Sequence, residues 1–253
     1  DGGGDADGAP PDSAIADSAP ADAGWPAGFT PTPKHVPSGL LCTIPADYVK
    51  NGGDPVNPPC KLEADRFSTH DHSWMPSGLK VVTWNVEYGK QSSAVVKQLS
   101  TNTTLLDADV LLLQEVPRKD KQSVPQGVNL ARTVAKTLKL NYVFGVEWDR
   151  RLDAKQAGEH GLAILSKYPI GNAKLLRHPA LYNFYWEKKD FGGRATLAAE
   201  IVVAGKRLQI YNSHLCTRDW TGSGRAKQAA EVLADASLAG TPAVKLLGGD
   251  LMR

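Results

Sequence analysis

Metal-assisted phosphoryl transfer needs hard oxygen ligands and an imidazole, and the chain offers both in Asn85, Glu115, His214 and Asp250. Carboxylate and amide oxygens suit Mg²⁺, which keeps most of its waters and therefore takes only one or two carboxylates from a protein. An imidazole can donate a hydrogen bond to a phosphoryl oxygen. Each residue alone would more simply be a solvated strand end or a cap, so the prediction depends on the elements that bring the four together.

The first two residues follow segments with the pattern of β-strands. Four apolar residues, flanked by polar residues and a proline, lead to Glu115 and are typical of a strand buried on both faces. Asn85 ends the β-branched stretch 80–86, and helical spacing over 92–99 predicts a strand–helix–strand crossover between the two. Ligand crevices lie at the carboxyl ends of strands in open α/β sheets, so Glu115 is expected where a site can form.

The other two residues follow strands in the C-terminal part of the chain. A hairpin is predicted over 194–203 and 207–215, because a short connection with glycine joins two strand-like stretches, and His214 lies at its end. A short strand over 243–247 is followed by two glycines, which let the backbone approach a ligand closely, and then by Asp250.

The remaining periodic stretches predict two more strands, at 142–148 and 161–167, and two more helices, at 131–138 and 224–238. Two polar loops, 150–159 and 178–193, are expected to hold the groups that select a substrate. The second loop contains an aromatic run that could stack on bases, contact lipid or simply pack.

Composition limits the class of protein. The chain has 253 residues, of which 42% are hydrophobic, so it can bury a substantial core. Its formal net charge of +2 gives no sign of a nucleic-acid surface. No apolar run approaches the roughly 18 residues of a spanning helix, so no transmembrane segment is predicted.

The N-terminal third predicts two regions before the main domain. Residues 1–33 are rich in Gly, Ala, Asp and Pro and predict a flexible acidic tether, which favours a secreted or cell-envelope protein, as in a bacterial lipoprotein. Residues 34–78 predict an irregular, Pro-rich lead-in. A Cys42–Cys60 disulfide is favoured there over two free thiols if the protein is exported, and Cys216 is expected to be a small packed residue.

Five sequence segments, each a weak signal alone, form a pattern that is specific for one superfamily when they occur in this order. They are Thr-Trp-Asn at 83–85, Asp-Val-Leu-Leu-Leu-Gln-Glu at 109–115, Gly-Leu-Ala-Ile-Leu-Ser-Lys at 161–167, Tyr-Asn-Ser-His-Leu at 211–215 and Leu-Gly-Gly-Asp at 247–250. In these segments the chain, over 79–253, resembles the endonuclease/exonuclease/phosphatase superfamily. The resemblance implies an α/β (α+β) fold, a four-layer α/β/β/α sandwich of two mixed β-sheets. We also expect the chain to be a monomer.

The same resemblance implies roles for the four residues. Glu115 would ligate Mg²⁺, for which Mn²⁺ could substitute, with Asn85 beside it. His214 would stabilise charge on the phosphoryl oxygens, and Asp250 would orient the attacking water. The implied activity is hydrolysis of a phosphodiester or phosphomonoester, with nucleic acid, phospholipid and inositol phosphate all open as substrates.

Two departures from the superfamily favour alternatives to an active enzyme. The superfamily usually continues Gly-Asp-Phe-Asn, whereas this chain has Leu251 and Met252, and a thioether cannot donate a hydrogen bond to phosphate. The final strands with an Asp-His pair are also missing, so the domain is expected to be truncated at its C-terminus. The alternatives are a non-catalytic phosphate-binding or interaction domain, an inactive fragment of an enzyme, and a structural role at the cell surface.

Overall fold

The structure is a computed structural model that describes residues 25–32, 62–70, 73, 76–89, 91–119, 128–150, 158–178, 191–216, 222–238 and 244–251. The strands are β1 (Glu63–Asp65), β2 (Val81–Asn85), β3 (Val110–Arg118), β4 (Asn141–Asp149), β5 (Glu159–Ser166), β6 (Ile170–Arg177), β7 (Phe191–Gly192), β8 (Ala195–Val203), β9 (Lys206–His214) and β10 (Val244–Asp250). The helices are α1 (Ser92–Thr101), α2 (Thr103–Leu106), α3 (Leu130–Leu138) and α4 (Ser223–Leu238), and a 3₁₀ turn, Glu87–Gly89, follows β2.

The strands form two mixed sheets. Sheet 1 has the order β1-β4-β5-β3-β2, with β7 pairing to the far end of β4. The β2–β3 pair is parallel, and α1 lies between these strands in the chain, which confirms the predicted crossover. Sheet 2 has the order β10-β9-β8-β6, with a parallel β9–β10 pair. The predicted β8–β9 hairpin is confirmed, and its turn residues Ala204 and Gly205 both have positive φ.

Three apolar layers hold the sheets and helices together. The layer between the sheets is lined by Val110, Leu112, Ile164, Leu197 and Ile210, among others. A second layer joins the outer face of sheet 1 to α1 and α3, and a third joins α4 to the outer face of sheet 2. The order helix, sheet, sheet, helix confirms the predicted four-layer sandwich.

Helix α4 is attached to sheet 2 as much by polar contacts as by apolar ones. Its Val232 packs on Ala198 and Tyr211. Glu231 Oε2 lies 2.6 Å from His178 Nδ1, and Gln228 Oε1 accepts a hydrogen bond from the backbone N–H of Cys216 at 2.8 Å. Since that N–H is buried just beyond β9, Gln228 holds the chain where it leaves the His214 strand.

The lead-in and tether regions contribute more to the fold than their composition predicts. Strand β1 lies in the predicted lead-in, upstream of Leu79, yet it pairs with β4. Part of the predicted tether, 25–32, lies along β6, where Phe29 is buried and the backbone N–H of Thr30 donates to Asn172 Oδ1 at 3.0 Å. The rings of Trp25 and Phe29 contact each other, with centroids 5.3 Å apart.

A buried ion network explains why β1 belongs to sheet 1. Arg118 Nη1 donates to Glu63 Oε2 at 2.8 Å, and its Nε donates to Glu159 Oε2 at 2.6 Å. Glu63 also accepts hydrogen bonds from Tyr142 Oη at 2.6 Å and from Asn129 Nδ2 at 3.0 Å. Buried charges persist when they are paired and hydrogen-bonded, so this network ties β1 to β3, β4 and β5.

Other predictions have mixed outcomes. Cys42 and Cys60 lie outside the described residues, and Cys216 is buried as expected. Strand β3 continues past Glu115 to Arg118, so Glu115 lies within the strand rather than at its end. No helix among the described ranges has the length and apolar character needed to cross a membrane.

Candidate active site

At one end of the sandwich the layer between the sheets changes from apolar to polar. Along β9 the inward-facing residues are Ile210, then Asn212, then His214, at the spacing of two that one strand face requires. Strand β10 runs parallel to β9 and places Asp250 opposite His214. The side chains that could do chemistry therefore meet where the apolar layer ends.

The structure brings all four predicted residues to this end. Asn85 Nδ2, from sheet 1, donates to Asp250 Oδ2, from sheet 2, at 2.8 Å. His214 Nε2 lies 3.7 Å from Glu115 Oε1 and 3.9 Å from Asp250 Oδ2. The imidazole is fully buried, whereas the Glu115 and Asp250 side chains keep 12% and 14% exposure, so the carboxylates form the accessible rim.

Glu115 reaches this site because of a β-bulge. Leu111 and Leu113 face the helices, so strict alternation would turn Glu115 to the same face. Two residues of β3, Gln114 and Glu115, instead oppose one residue of β5, and Glu115 adopts the left-handed conformation with φ of 56°. The bulge thus turns two consecutive polar side chains toward sheet 2.

The second oxygen of Glu115 is the carboxylate oxygen of the site that lacks a hydrogen-bond partner in the described ranges. Within the described part of the chain, Glu115 Oε2 is buried and has no hydrogen-bond partner. A buried carboxylate oxygen without a partner is costly, and a cation is the ligand that would compensate for it. Glu115 is therefore the side chain here best placed to hold a metal ion.

Asn85 is held in a fixed orientation. Its Oδ1 accepts a hydrogen bond from the backbone N–H of Glu87 at 2.9 Å while its Nδ2 donates to Asp250. An amide oxygen has two lone pairs, so one remains for a ligand. Among the described residues no three His, Cys, Asp or Glu side chains are grouped to enclose a metal. A single carboxylate with an amide oxygen nevertheless fits Mg²⁺, which keeps its waters.

A second bulge adds a carboxylate that the sequence analysis did not single out. In β4, Val146 and Trp148 oppose adjacent residues of β5, which leaves Glu147 as the extra residue. Glu147 is fully buried, and its Oε2 lies 2.9 Å from His214 Nδ1. A carboxylate only accepts hydrogen bonds, so a hydrogen bond to Glu147 needs a proton on Nδ1, while Nε2 faces Glu115 and Asp250.

Arg194 supplies the positive charge next to these carboxylates. Its Nη1 lies 2.9 Å from His214 Nδ1 and 2.7 Å from His214 Nε2, and it donates to Glu147 Oε1 at 3.1 Å. The arginine is buried, directly before β8. Three carboxylates and one guanidinium thus surround the imidazole.

Aromatic rings form one wall of the site. The rings of Trp148 and His160 stack with centroids 5.4 Å apart, and Tyr88 contacts the His160 ring edge-on at 5.3 Å. Tyr88 has a φ of 58°, a strained value for this residue. Burial and the nearby Glu115 carboxylate raise the pKa of Tyr88, so its phenol stays a hydrogen-bond donor across the physiological range.

Glu147 and Arg194 could have been found from one sequence signal. Val143, Gly145 and Glu147 follow one another in steps of two residues, so they share the strand face that packs against sheet 2. A charge on a buried strand face indicates a partner of opposite charge or a functional role. Met252 and most of the two loops expected to select substrate lie outside the described residues.

Several solved structures have a similar fold. The human nocturnin catalytic domain with bound sulfate is 15% identical, with a TM-score of 0.52, over 76% of this chain and 67% of that one. A humanised Danio rerio TDP2 is 18% identical, with a TM-score of 0.49, over 68% and 62%. Sphingomyelinase C from Streptomyces griseocarneus is 16% identical, with a TM-score of 0.49, over 70% and 65%.

These likenesses concern the fold, and the chain spans about half to three fifths of the length of the TDP2 structures that it matches. No curated protein matches the sequence. The sequence profile of the endonuclease/exonuclease/phosphatase family matches residues 82–251, which include all four predicted site residues. The chain belongs to the endonuclease/exonuclease/phosphatase family.

Proposed function

We propose that the protein is a divalent-cation-dependent phosphoesterase that hydrolyses a phosphodiester or phosphomonoester by in-line attack of water. The observation that carries this proposal is the buried Oε2 of Glu115, which has no hydrogen-bond partner among the described residues. It belongs to a carboxylate within 4 Å of an imidazole, at the accessible end of the sandwich. Membership of the family adds the reaction class.

Glu115 and Asn85 would hold the cation, Mg²⁺ or in its place Mn²⁺. When bound, a divalent cation polarises a phosphoryl oxygen and offsets the charge that builds up in the transition state. Glu115 contributes the unpaired carboxylate oxygen, and Asn85 contributes the free lone pair of Oδ1. The hydrogen bond from Asn85 to Asp250 fixes the amide, so its oxygen is oriented before any ligand arrives.

His214 and Arg194 would stabilise the negative charge on the phosphoryl group. In the imidazolium form of His214, Glu147 accepts from Nδ1–H, and Nε2–H is the donor that would be directed toward a substrate phosphate. Arg194 lies beside both ring nitrogens and adds a positive charge there. Preoriented donors of this kind are typically the largest single contribution to catalysis.

Asp250 would orient the attacking water. Its Oδ2 accepts a hydrogen bond from Asn85, which leaves Oδ1 available to accept one from a water molecule. A carboxylate in this position directs the water lone pair toward phosphorus, and its hydrogen bond to Asn85 couples the orientation of the water to the cation site.

The experiment that tests the proposal compares three chains, the wild type, Glu115→Gln and Glu200→Gln, for Mg²⁺-dependent hydrolysis of bis-p-nitrophenyl phosphate. Glu200 is a matched control because it is also a buried carboxylate, paired with Arg207 at 2.6 Å, outside the site. We expect activity in the wild type and in Glu200→Gln, and none in Glu115→Gln, with circular dichroism confirming that all three fold.

Two other results would contradict the proposal. A folded wild-type chain without hydrolysis, but with measurable binding of p-nitrophenyl phosphate, would favour the non-catalytic phosphate-binding alternative. Equal activity of Glu115→Gln and wild type would remove Glu115 from the cation site.

Substrate, location and assembly form the wider part of the proposal. Phosphodiesters of nucleic acid or phospholipid type and inositol phosphates all present the group that the site would bind. Secretion or attachment at the cell envelope is supported by the composition of residues 1–33, and the chain is proposed to be a monomer. Turnover on a panel of DNA, RNA, sphingomyelin and inositol polyphosphates would distinguish the substrates.

A further inference from the structure

Two β-bulges of sheet 1, one in β3 and one in β4, lie opposite the same strand, β5. The bulge in β3 puts Gln114 and Glu115 opposite one residue of β5. The bulge in β4 adds Glu147 as an unpaired residue next to Trp148. In both strands, two consecutive side chains contact groups of the site, which the alternation of a regular strand does not allow. The candidate site therefore depends on both irregularities.

The carbonyls at the β3 bulge are capped from the opposite sheet by Asn212. Leu113 and Ala163 form the last regular β3–β5 pair before the bulge. Asn212 Nδ2, on β9, donates to both of their carbonyl oxygens at 2.9 Å. Gln114 Nε2 in turn donates to Asn212 Oδ1 at 2.7 Å, which fixes the orientation of the Asn212 amide.

The carbonyls at the β4 bulge are capped in the same way by Arg177. This arginine, on β6 of sheet 2, donates from Nη1 to the Glu147 carbonyl at 2.9 Å and from Nη2 to the Val146 carbonyl at 2.6 Å. One planar guanidinium thus donates to two adjacent carbonyls, which a lysine could not do with the same geometry. The Glu147 carbonyl also accepts from the backbone N–H of Gly193 at 3.3 Å, so Arg177 is the second donor there.

We infer that Asn212 and Arg177 are positioning residues of the site, each acting through a bulge that it caps. A buried carbonyl that loses its donor is destabilising, so removal of a cap favours a regular ladder or a distorted bulge. In a regular ladder Glu115 would turn toward α1 and α3, because a shift of one residue reverses every side chain that follows. The inference rests on the proposed function for what the site does.

The two caps are expected to affect different properties. Asn212 lies behind Glu115, the proposed cation ligand, so Asn212→Asp should weaken Mn²⁺ binding about 10- to 100-fold, the usual effect of losing a residue that orients a ligand. Arg177 lies behind Glu147, which contacts His214, so Arg177→Lys should lower kcat without changing Mn²⁺ affinity. Neither variant should raise the KM for substrate as much as it lowers kcat.

The test measures Mn²⁺ binding by electron paramagnetic resonance and steady-state kinetics at increasing Mg²⁺, with thermal unfolding recorded for every variant. Asn141→Asp is the matched control. Asn141 is also buried and donates to a backbone carbonyl, that of Tyr168 at 2.9 Å, but it lies at the opposite end of β4 from Glu147. We expect Asn141→Asp to lose stability and keep Mn²⁺ affinity, and excess Mg²⁺ to restore part of the activity of Asn212→Asp alone.

The inference is overturned if Asn212→Asp loses as much stability as Asn141→Asp while its Mn²⁺ affinity and kcat stay within about twofold of the wild type, the scatter expected of a substitution remote from the site. If Asn212→Asp does not fold, Arg177→Lys decides alone, and an unchanged kcat overturns the inference.

The same experiment separates this inference from the proposed function. A wild-type chain that binds Mn²⁺ without hydrolysis, and loses that binding in Asn212→Asp, contradicts the proposed function and supports the inference. An active wild type, with Asn212→Asp and Arg177→Lys unchanged in Mn²⁺ affinity and kcat, supports the proposed function and contradicts the inference. A wild type that neither binds Mn²⁺ nor hydrolyses a phosphoester overturns both.

Discussion

Glu147 allows the sharpest prediction about catalysis, because its carboxylate contacts two charged or polarised donors and no solvent. Its Oε2 lies 2.9 Å from His214 Nδ1, and its Oε1 accepts from Arg194 Nη1 at 3.1 Å. In Glu147→Gln only one side-chain oxygen remains. The new amide N–H group must therefore face either the imidazole N–H or the guanidinium, and each of these is a donor.

The expected decrease in kcat follows from the number of hydrogen bonds that the substitution removes. One hydrogen bond to a charged group is removed, worth about 1.5–3 kcal/mol, and a donor is left against a donor in a buried site. If the misaligned imidazole matters mainly in the transition state, this energy corresponds to a decrease in kcat of about 10- to 150-fold. The KM for substrate should change little, because Glu147 is buried and lies behind His214.

The assay is Mg²⁺-dependent hydrolysis of bis-p-nitrophenyl phosphate at saturating substrate, with the free energy of unfolding measured for the same samples. Glu200→Gln is the control, since it removes one charge from a partly buried arginine–carboxylate pair in sheet 2 without touching the site. A folded Glu147→Gln chain with kcat within about twofold of Glu200→Gln would refute the role of Glu147 in holding His214, because the lost hydrogen bond alone predicts at least tenfold.

Two further predictions concern stability. Arg118→Met should lower the free energy of unfolding in urea by about 3–5 kcal/mol, because it leaves the buried carboxylates of Glu63 and Glu159 unpaired; a loss below about 1 kcal/mol would contradict this. Burial, and then the Glu63 carboxylate, raise the pKa of Tyr142 above its ordinary value of 10.0, so the folded chain keeps a proton that the unfolded chain releases. This stabilisation is fully present below about pH 10 and is lost as the pH rises further. Tyr142→Phe should therefore flatten the decline of urea stability between about pH 10 and 11, and an unchanged slope would argue against it.

Much of the fold followed from the sequence because local signals agreed with the tertiary structure. The apolar runs of β3, β4 and β8 have the pattern of strands buried on both faces, and these strands are buried throughout. The helical spacing of α3 places Ala131, Val134 and Ala135 against sheet 1. The order of the five motif segments also brought Asn85, Glu115, His214 and Asp250 into one prediction, although each lies far from the others in the chain.

Elements stabilised by distant partners could not be found in this way. Strand β1 has only three residues, and two of them are acidic, so nothing in its composition predicts a buried strand. It is buried because Arg118 lies opposite it, 55 positions later in the chain. Strand β6 is a partly exposed edge with polar residues on both faces, and its regularity is interrupted at Asn172, where residues 25–32 contact it.

The bulges show why a site can be harder to predict than the fold that carries it. A strand is recognised by its period of two, but Glu115 and Glu147 reach the candidate site only where that period is broken. Nothing within 110–118 requires the extra residue, because the donor that satisfies the opened carbonyls is Asn212, about a hundred positions away. Gly161 adds a second distant condition, since a Cβ there would lie 2.1 Å from the carbonyl oxygen of Gly145, so β4 and β5 can approach each other beside both bulges only with glycine at this position. Groups on other strands orient the carboxylates, so a sequence pattern that is read locally finds the residue types but not the bulge that turns Glu115 toward sheet 2.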